Sequence, residues 1–285
     1  MYSQFNCVAL AGAVCLFSGL AATADEVQIG ALKDNTLYES DAGGFSNGSG
    51  DHFFAGVTFQ LATRRGVIAF DIAGAIPAGA TIESVELQLS MSQTNAGDEQ
   101  VTLHNVLQDW GEGASDAPGG EGGGGQPMTG DVTWLHTFFN DQFWTTPGGD
   151  FDAAADGETT VGSLPGFYTW SSKGMVARVQ AWLDDPSSNF GWLVQCNEDS
   201  FPTAKRFDSK DNPESAVHPL LTVQYSLAEC AEGDVNCDGV VNVEDLVAVI
   251  LDWGPCPGGD DCPADQNGDG VVDVEDLVTV ILGWG

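Results

Sequence analysis

Positive charge is scarce in this chain. Eight Lys and Arg face 42 Asp and Glu, a formal charge of −34 over 285 residues, and no cation occurs before Lys33 or after Lys210. So acidic a surface repels nucleic acid and anionic lipid, which argues against both as partners; it favours solubility and divalent-ion binding. Long apolar runs are few as well. The run from Cys7 to Leu20 lacks the usual basic start, yet it ends in small residues up to Ala22-Thr-Ala24, the pattern of a secretory signal. Residues 1–24 are therefore assigned as a signal peptide. The chain is expected to be secreted, with no membrane span after cleavage. Catalytic motifs are missing too: no Gly-x-Ser-x-Gly elbow, zincin helix or phosphate-cradling loop occurs. Carboxylates are so abundant that spacing cannot single out a glycosidase pair. The expectation is no enzyme, with a polysaccharide hydrolase or lyase as the alternative.

Against these absences stands one repeated motif. Asp234-Val-Asn236-Cys-Asp238-Gly239-Val240-Val241-Asn242-Val-Glu-Asp245 recurs 31 residues later as Asp265-Gln-Asn267-Gly-Asp269-Gly270-Val271-Val272-Asp273-Val-Glu-Asp276. A hard cation takes six to eight oxygens, and loop positions one, three, five, nine and twelve supply side-chain oxygens while position seven supplies a carbonyl. The pattern predicts two Ca2+ ions. One is held by Asp234, Asn236, Asp238, Val240, Asn242 and Asp245, the other by Asp265, Asn267, Asp269, Val271, Asp273 and Asp276. Gly239 and Gly270 fill position six, where the backbone turns through a conformation that a β-carbon disfavours. Position twelve is Asp in both copies, where EF-hands usually have Glu.

Asn242 and Asp273 precede apolar runs and can cap the helices that follow, with Asp245 and Asp276 three positions on. Val243, Leu246, Val247, Ile250 and Trp253 recur at helical spacing, and Val274, Leu277, Val278, Ile281 and Trp284 repeat them. These faces are expected to bury one another, with both tryptophans as core. Of five cysteines left after cleavage, the expected pairs are Cys230–Cys237 and Cys256–Cys262, with Cys196 as the odd thiol.

No incoming helix precedes either loop. A loop and exit helix in duplicate resembles a type I dockerin, the module that docks cohesin domains, over residues 230 to 285. The resemblance implies a small α-helical calcium domain over residues 228–285, with loops at 234–245 and 265–276, and a cohesin-like partner. The positions that read that partner are Val243-Glu244 and Val274-Glu275, where cellulosomal dockerins often carry Ser-Thr.

Residues 25–227 read as a larger, mainly β domain. Ser84 to Met91 alternates, as do Ile68, Phe70 and Ile72, and Leu221, Val223 and Tyr225. Pro77-Ala-Gly79 reads as a turn, and Gly119 to Gly125 as a flexible loop within the domain. Met175, Val176, Val179, Trp182 and Leu183 mark one short helix, stopped at Asp184-Asp-Pro186. Many strands and one helix predict an antiparallel jelly-roll-type β-sandwich. Asp34-Asn-Thr-Leu-Tyr-Glu39, Arg65-Gly-Val-Ile-Ala-Phe-Asp71, Ile76-Pro-Ala-Gly-Ala-Thr-Ile82, Asp109-Trp-Gly-Glu-Gly113, Gly191-Trp-Leu-Val194 and Phe207-Asp-Ser-Lys-Asp211 together resemble the DNRLRE domain family. That resemblance implies a secreted β-sandwich, some members of the family being similar to carbohydrate-binding modules that recognise acidic polysaccharide.

Trp134, Trp144 and Trp170 have two readings: faces for a sugar ring, or filling beneath long loops. Arg65 and Arg206, with Arg64 and Lys205, are candidates to receive a carboxylate or to pair with neighbouring acids. His136 is a hydrogen-bonder or a site residue, and Asn47, Ser49 and Asp51 are an oxygen-rich turn that could hold a structural calcium. The functional expectation is a secreted calcium-binding protein. Its β-sandwich binds carbohydrate or a surface, and its C-terminal module attaches it to a partner during polysaccharide use. A structural or assembly protein of the cell surface is the alternative.

Overall fold

The computed structural model describes residues 24–227, 230–237, 239–256 and 262–284; the assigned signal peptide, Ala24 apart, lies outside them. The chain is mainly β. In order come β1 (Asp25–Tyr38), β2 (His52–Val57), β3 (Thr63–Phe70), the one-turn α1 (Ile72–Ala75), β4 (Thr81–Thr94) and β5 (Glu99–Asn105). Then follow β6 (His136–Phe138), β7 (Gln142–Phe143), β8 (Gly157–Val161), β9 (Gly166–Trp170), α2 (Lys173–Asp184), β10 (Trp192–Cys196), β11 (Lys205–Asp208) and β12 (Leu220–Ser226). The C-terminal region adds α3 (Val243–Leu251), β13 (Gly254–Pro255), β14 (Val271–Val272) and α4 (Val274–Gly283).

The antiparallel ladder runs from β1 through β12, β4, β11, β2 and β3 and returns to β1, so six strands close on themselves. Strands β10, β5 and β8 continue outward from β3, and β9 lies along β4. This closure goes beyond two separate sheets, and two strands cause it. The first half of β1 pairs with β12 and its second half with β3, with a register shift between Ala31 and Lys33. In β2, residues up to Ala55 pair with β11, while Gly56 and Val57 pair with β3. Gly56 has φ +112°, and a β-carbon there would meet the Thr203 and Ala204 backbone at 2.8 Å, so a side chain would block the crossing.

Alternation places the core as the sequence implies. Val85, Leu87, Leu89 and Met91 of β4 point inward, as do Leu221 and Val223 of β12. Met175, Val179, Trp182 and Leu183 are the buried stripe of α2, whose N-cap Ser172 accepts from the Met175 amide. Ile72 departs from its strand reading: it is buried, but in the single turn of α1. Strand β3 is buried on both faces, with Ile68 and Phe70 in the main core and Val67 and Ala69 under the loops of residues 106–151. A strand covered twice loses its apolar–polar alternation.

Those loops are held by a buried polar network. Asn35 donates to Ser46 Oγ and the Glu112 carbonyl and accepts from the amides of Thr36 and Asn47. Asp131 accepts from the amides of Ala114 and Met128. Glu121, midway in the glycine-rich run, is buried and accepts from Asn47 Nδ2 and the His52 amide. Its carbonyl accepts from Tyr38 and that of Gly122 from Arg64. The run expected to be flexible is therefore fastened at several points.

Candidate metal loops and the sequence-predicted site residues

Both loops turn where expected. Gly239 and Gly270 have φ of +84° and +87°, and position four repeats the left-handed backbone with Cys237 at +59° and Gly268 at +72°. Asp238 lies outside the described residues. Asp234 Oδ2 accepts from the Gly239 amide at 2.9 Å, and Asp265 Oδ2 accepts from the Gly270 amide at 2.8 Å. Asp245 Oδ1 accepts from the Asn236 amide and Oδ2 from Asn242. Asp276 repeats this with Gln266, Asn267 and Asp273. Asn242 and Asp273 cap α3 and α4 in reciprocal capping boxes with Asp245 and Asp276.

The position-twelve carboxylates are fully buried. Burial opposes the charge of Asp245, but the amides of Asn242, Asn236 and Val235 outweigh it and hold the carboxyl below its ordinary range. Residues 228–285 carry fourteen Asp and Glu and no Lys or Arg, so the region supplies no Lys or Arg cation of its own. Carboxylates, amide oxygens and one carbonyl per loop are the donor set of a hard cation, so the residues fit calcium. Cys230–Cys237 and Cys256–Cys262 are bonded pairs, with Cα separations of 4.9 and 6.0 Å. Cys256, Cys262 and Asp265 lie within reach of one another; with both sulfurs in a disulfide, they offer no thiolate for a metal. Cys196 is free and buried, and desolvation pushes its thiol up to about 12.

The helix faces differ from expectation. Val249 and Val280 are the buried contacts, joined by Val235, Ala264 and Val272, with Leu246 and Leu277 half-buried. Val243, Val247, Ile250 and Trp253 are exposed, as are Val274, Val278, Ile281 and Trp284. Trp253 and Trp284 are 52% and 48% accessible, so neither is core. Each helix is apolar around most of its circumference, and with no polar side to orient it periodicity could not pick the packed face.

Among the aromatic candidates, Trp170 and Trp144 are interior, and their indole N–H groups donate to the carbonyls of Val101 and Thr133. Neither offers a face to a sugar. Trp134 is half-buried, packs on the second core cluster, and has Arg65 over its ring at 5.0 Å. Arg65 is committed to Glu198 through two 2.8 Å hydrogen bonds. His136 holds Thr133 Oγ1 through Nδ1 and packs on Phe139 and Phe143, a structural role; desolvation lowers its pKa. Asn47 spends its amide on the Ala117 amide, the His52 carbonyl and Glu121.

The four candidate cations are not gathered. Arg64 donates to the carbonyls of Gly122 and Thr63, and Lys205, fully buried, to those of Gly97 and Gly162. Arg206 bonds only Ser92 Oγ among the described residues and so uses one of its five donors. The conspicuous phrases of the β region prove structural. Asp34 accepts from the Lys210 amide, and Glu39 from the Thr63 amide. Burial pushes the Asp34 carboxyl up to about 7. No known family profile matches the chain, and no curated protein matches it.

Proposed function

We propose that this is a secreted calcium-binding attachment protein in which a dockerin-like C-terminal module of two ions tethers a jelly-roll-type, DNRLRE-like β domain that binds carbohydrate. The carrying observation is the duplicated loop. Two oxygen-rich turns, each closed by a fully buried Asp at position twelve, sit in a region without any cation to balance them. Calcium supplies that balance, and binding is then coupled to folding. Docking is supported by the paired exposed faces, Val243, Val247 and Ile250 on α3 and Val274, Val278 and Ile281 on α4. Apolar patches of this kind on a small acidic region mark interaction surfaces. The reading of the β domain rests on the DNRLRE resemblance.

The test is retention of a panel of cohesin-like proteins on the immobilised full chain. Calcium is expected to give retention of at least one member, and chelator to abolish it. Ile250→Ser combined with Ile281→Ser should weaken it about tenfold or more, each change removing roughly 1–2 kcal/mol of apolar burial. Retention that survives chelator and is indifferent to that double variant would overturn the docking reading.

A further inference from the structure

A groove of about 330 Å³ opens on the outer face of the ring at β2, β11 and β4. Its floor is one cross-strand row, because Phe54 of β2 and Gln93 of β4 are both register partners of Arg206 on β11. The next row, Phe53, Phe207 and Met91, points the other way into the core. Between these rows the β4 register shifts and leaves Ser92 over, and its Oγ accepts from Arg206 Nε at 3.1 Å. Such a bulge re-aims the side chains beside it. Phe59 and Gln60 from the β2–β3 turn and Asn95 beyond β4 also line the groove, and Phe59 is 60% exposed.

The electrostatics of this place are unlike the rest of the chain. No Asp or Glu lines the groove, although the chain carries 42. Lys33, Arg65, Arg178 and Lys210 each pair with a carboxylate; Arg206, like Arg64, Lys173 and Lys205, makes no ion pair among the described residues, but Arg64 and Lys205 are buried and donate to backbone carbonyls. Its guanidinium carries five N–H donors in a fixed fork, and Ser92 uses one of them. Gln60, Gln93 and Asn95 add three primary amides, each able to donate and to accept. Groups of that kind match hydroxyls, which also do both. The Phe59 ring offers an apolar face at the rim. The net charge of −34 works against a polyanion approaching any part of this surface.

We infer that this groove binds a neutral polysaccharide, with Arg206 and the three amides reading ring hydroxyls and Phe59 lying against a sugar face. The inference rests on the carbohydrate-binding reading of the β domain and gives it a place other than the tryptophans. A groove of this size, with a few placed polar groups between aromatic side chains, has the make-up of a ligand site.

The test is affinity electrophoresis of the full chain in calcium through gels containing a β-glucan, a mannan, a xylan, a galactan or a polyuronate. Retention by at least one neutral polymer is expected. Arg206→Ala should weaken it about tenfold, and Gln93→Ala and Asn95→Ala about fivefold each, as lost hydrogen bonds to charged and neutral donors do. Leu164→Ala, exposed and outside the groove, serves as the unaffected control. Unfolding midpoints establish that each variant is folded; should Arg206→Ala fail, the two amide variants carry the test. Neutral-glycan binding indifferent to the groove variants would overturn the groove and leave carbohydrate binding standing. Retention by the polyuronate alone would overturn the ligand class, and retention by none would overturn both readings.

Discussion

The two halves of this chain are stabilised by different physics. Residues 25–226 bury a large apolar cluster that includes Trp170, Trp182 and Trp192, and their buried carboxylates accept from backbone amides and side chains of neighbouring segments. Residues 230–284 bury five apolar side chains among the described residues, keep two disulfides, and leave much of both helices in water. Area removed from water scales with stability, so the first half can hold its fold by burial and the second cannot. A small region of this kind needs staples, and here they are two crosslinks and two sets of oxygen donors. The same acidic composition has different settings: buried acids in both regions accept from backbone amides, but residues 228–285 carry fourteen acids and no Lys or Arg, the setting from which calcium binding is proposed.

That contrast can be broken in four ways. The largest effect expected is from chelation. At a thousandfold excess over Kd, bound calcium contributes about 4 kcal/mol per site. Removing it should abolish amide-exchange protection of α3 and α4 while β4, β11 and β12 keep theirs. Equal loss in both halves would end the comparison.

Next is Trp170→Ala, which empties an interior site of the β region and should cost about 3–5 kcal/mol in denaturant unfolding. Calorimetry on that variant should still give two calcium ions, provided it folds. A change in ion stoichiometry would show that the halves are coupled.

Asp245→Ala removes the position-twelve oxygens and the capping partner of one loop only. Calorimetric stoichiometry should fall from two ions to about one, with the second loop intact. Unchanged stoichiometry would sink the ligand assignment.

The smallest effect concerns pH and belongs to the β region alone. Asp34 has a folded pKa of about 7, above its ordinary 3.8, because burial disfavours its charge. The folded state then binds more protons than the unfolded one between those values. The associated stability is present below about pH 4 and lost as pH rises through 7. Asp34→Asn should therefore gain on the wild type in unfolding free energy as pH goes from 5 to 8. A difference independent of pH would refute it.

Much of the candidate site was legible in the sequence because its residues are local. A twelve-residue loop carries its donors in fixed order, and the capping residues sit three positions from their partners, so Asp234 to Asp245 and Asp265 to Asp276 could be read without a fold. The stripe of α2 was legible for the same reason, its polar positions leaving one solution. On α3 and α4 that constraint fails, and Trp253 and Trp284 were placed inside when they stand in water. In the β region long-range pairing hid the rest. Nothing local marks Gln93, Arg206 and Phe54 as neighbours, since they lie on three strands more than a hundred residues apart at the extremes.

By itself the sequence determined the mainly β class, the duplicated oxygen loops, the capped helices after them and the two crosslinks. Each depends on spacing along the chain. Only the tertiary structure decided that six strands close on themselves through β1 and β2, that Trp144 and Trp170 fill space, and that Arg206 lies in an acid-free groove. Those depend on which distant backbones pair and which face each strand turns outward, and loop closure over such distances leaves no mark on local pattern.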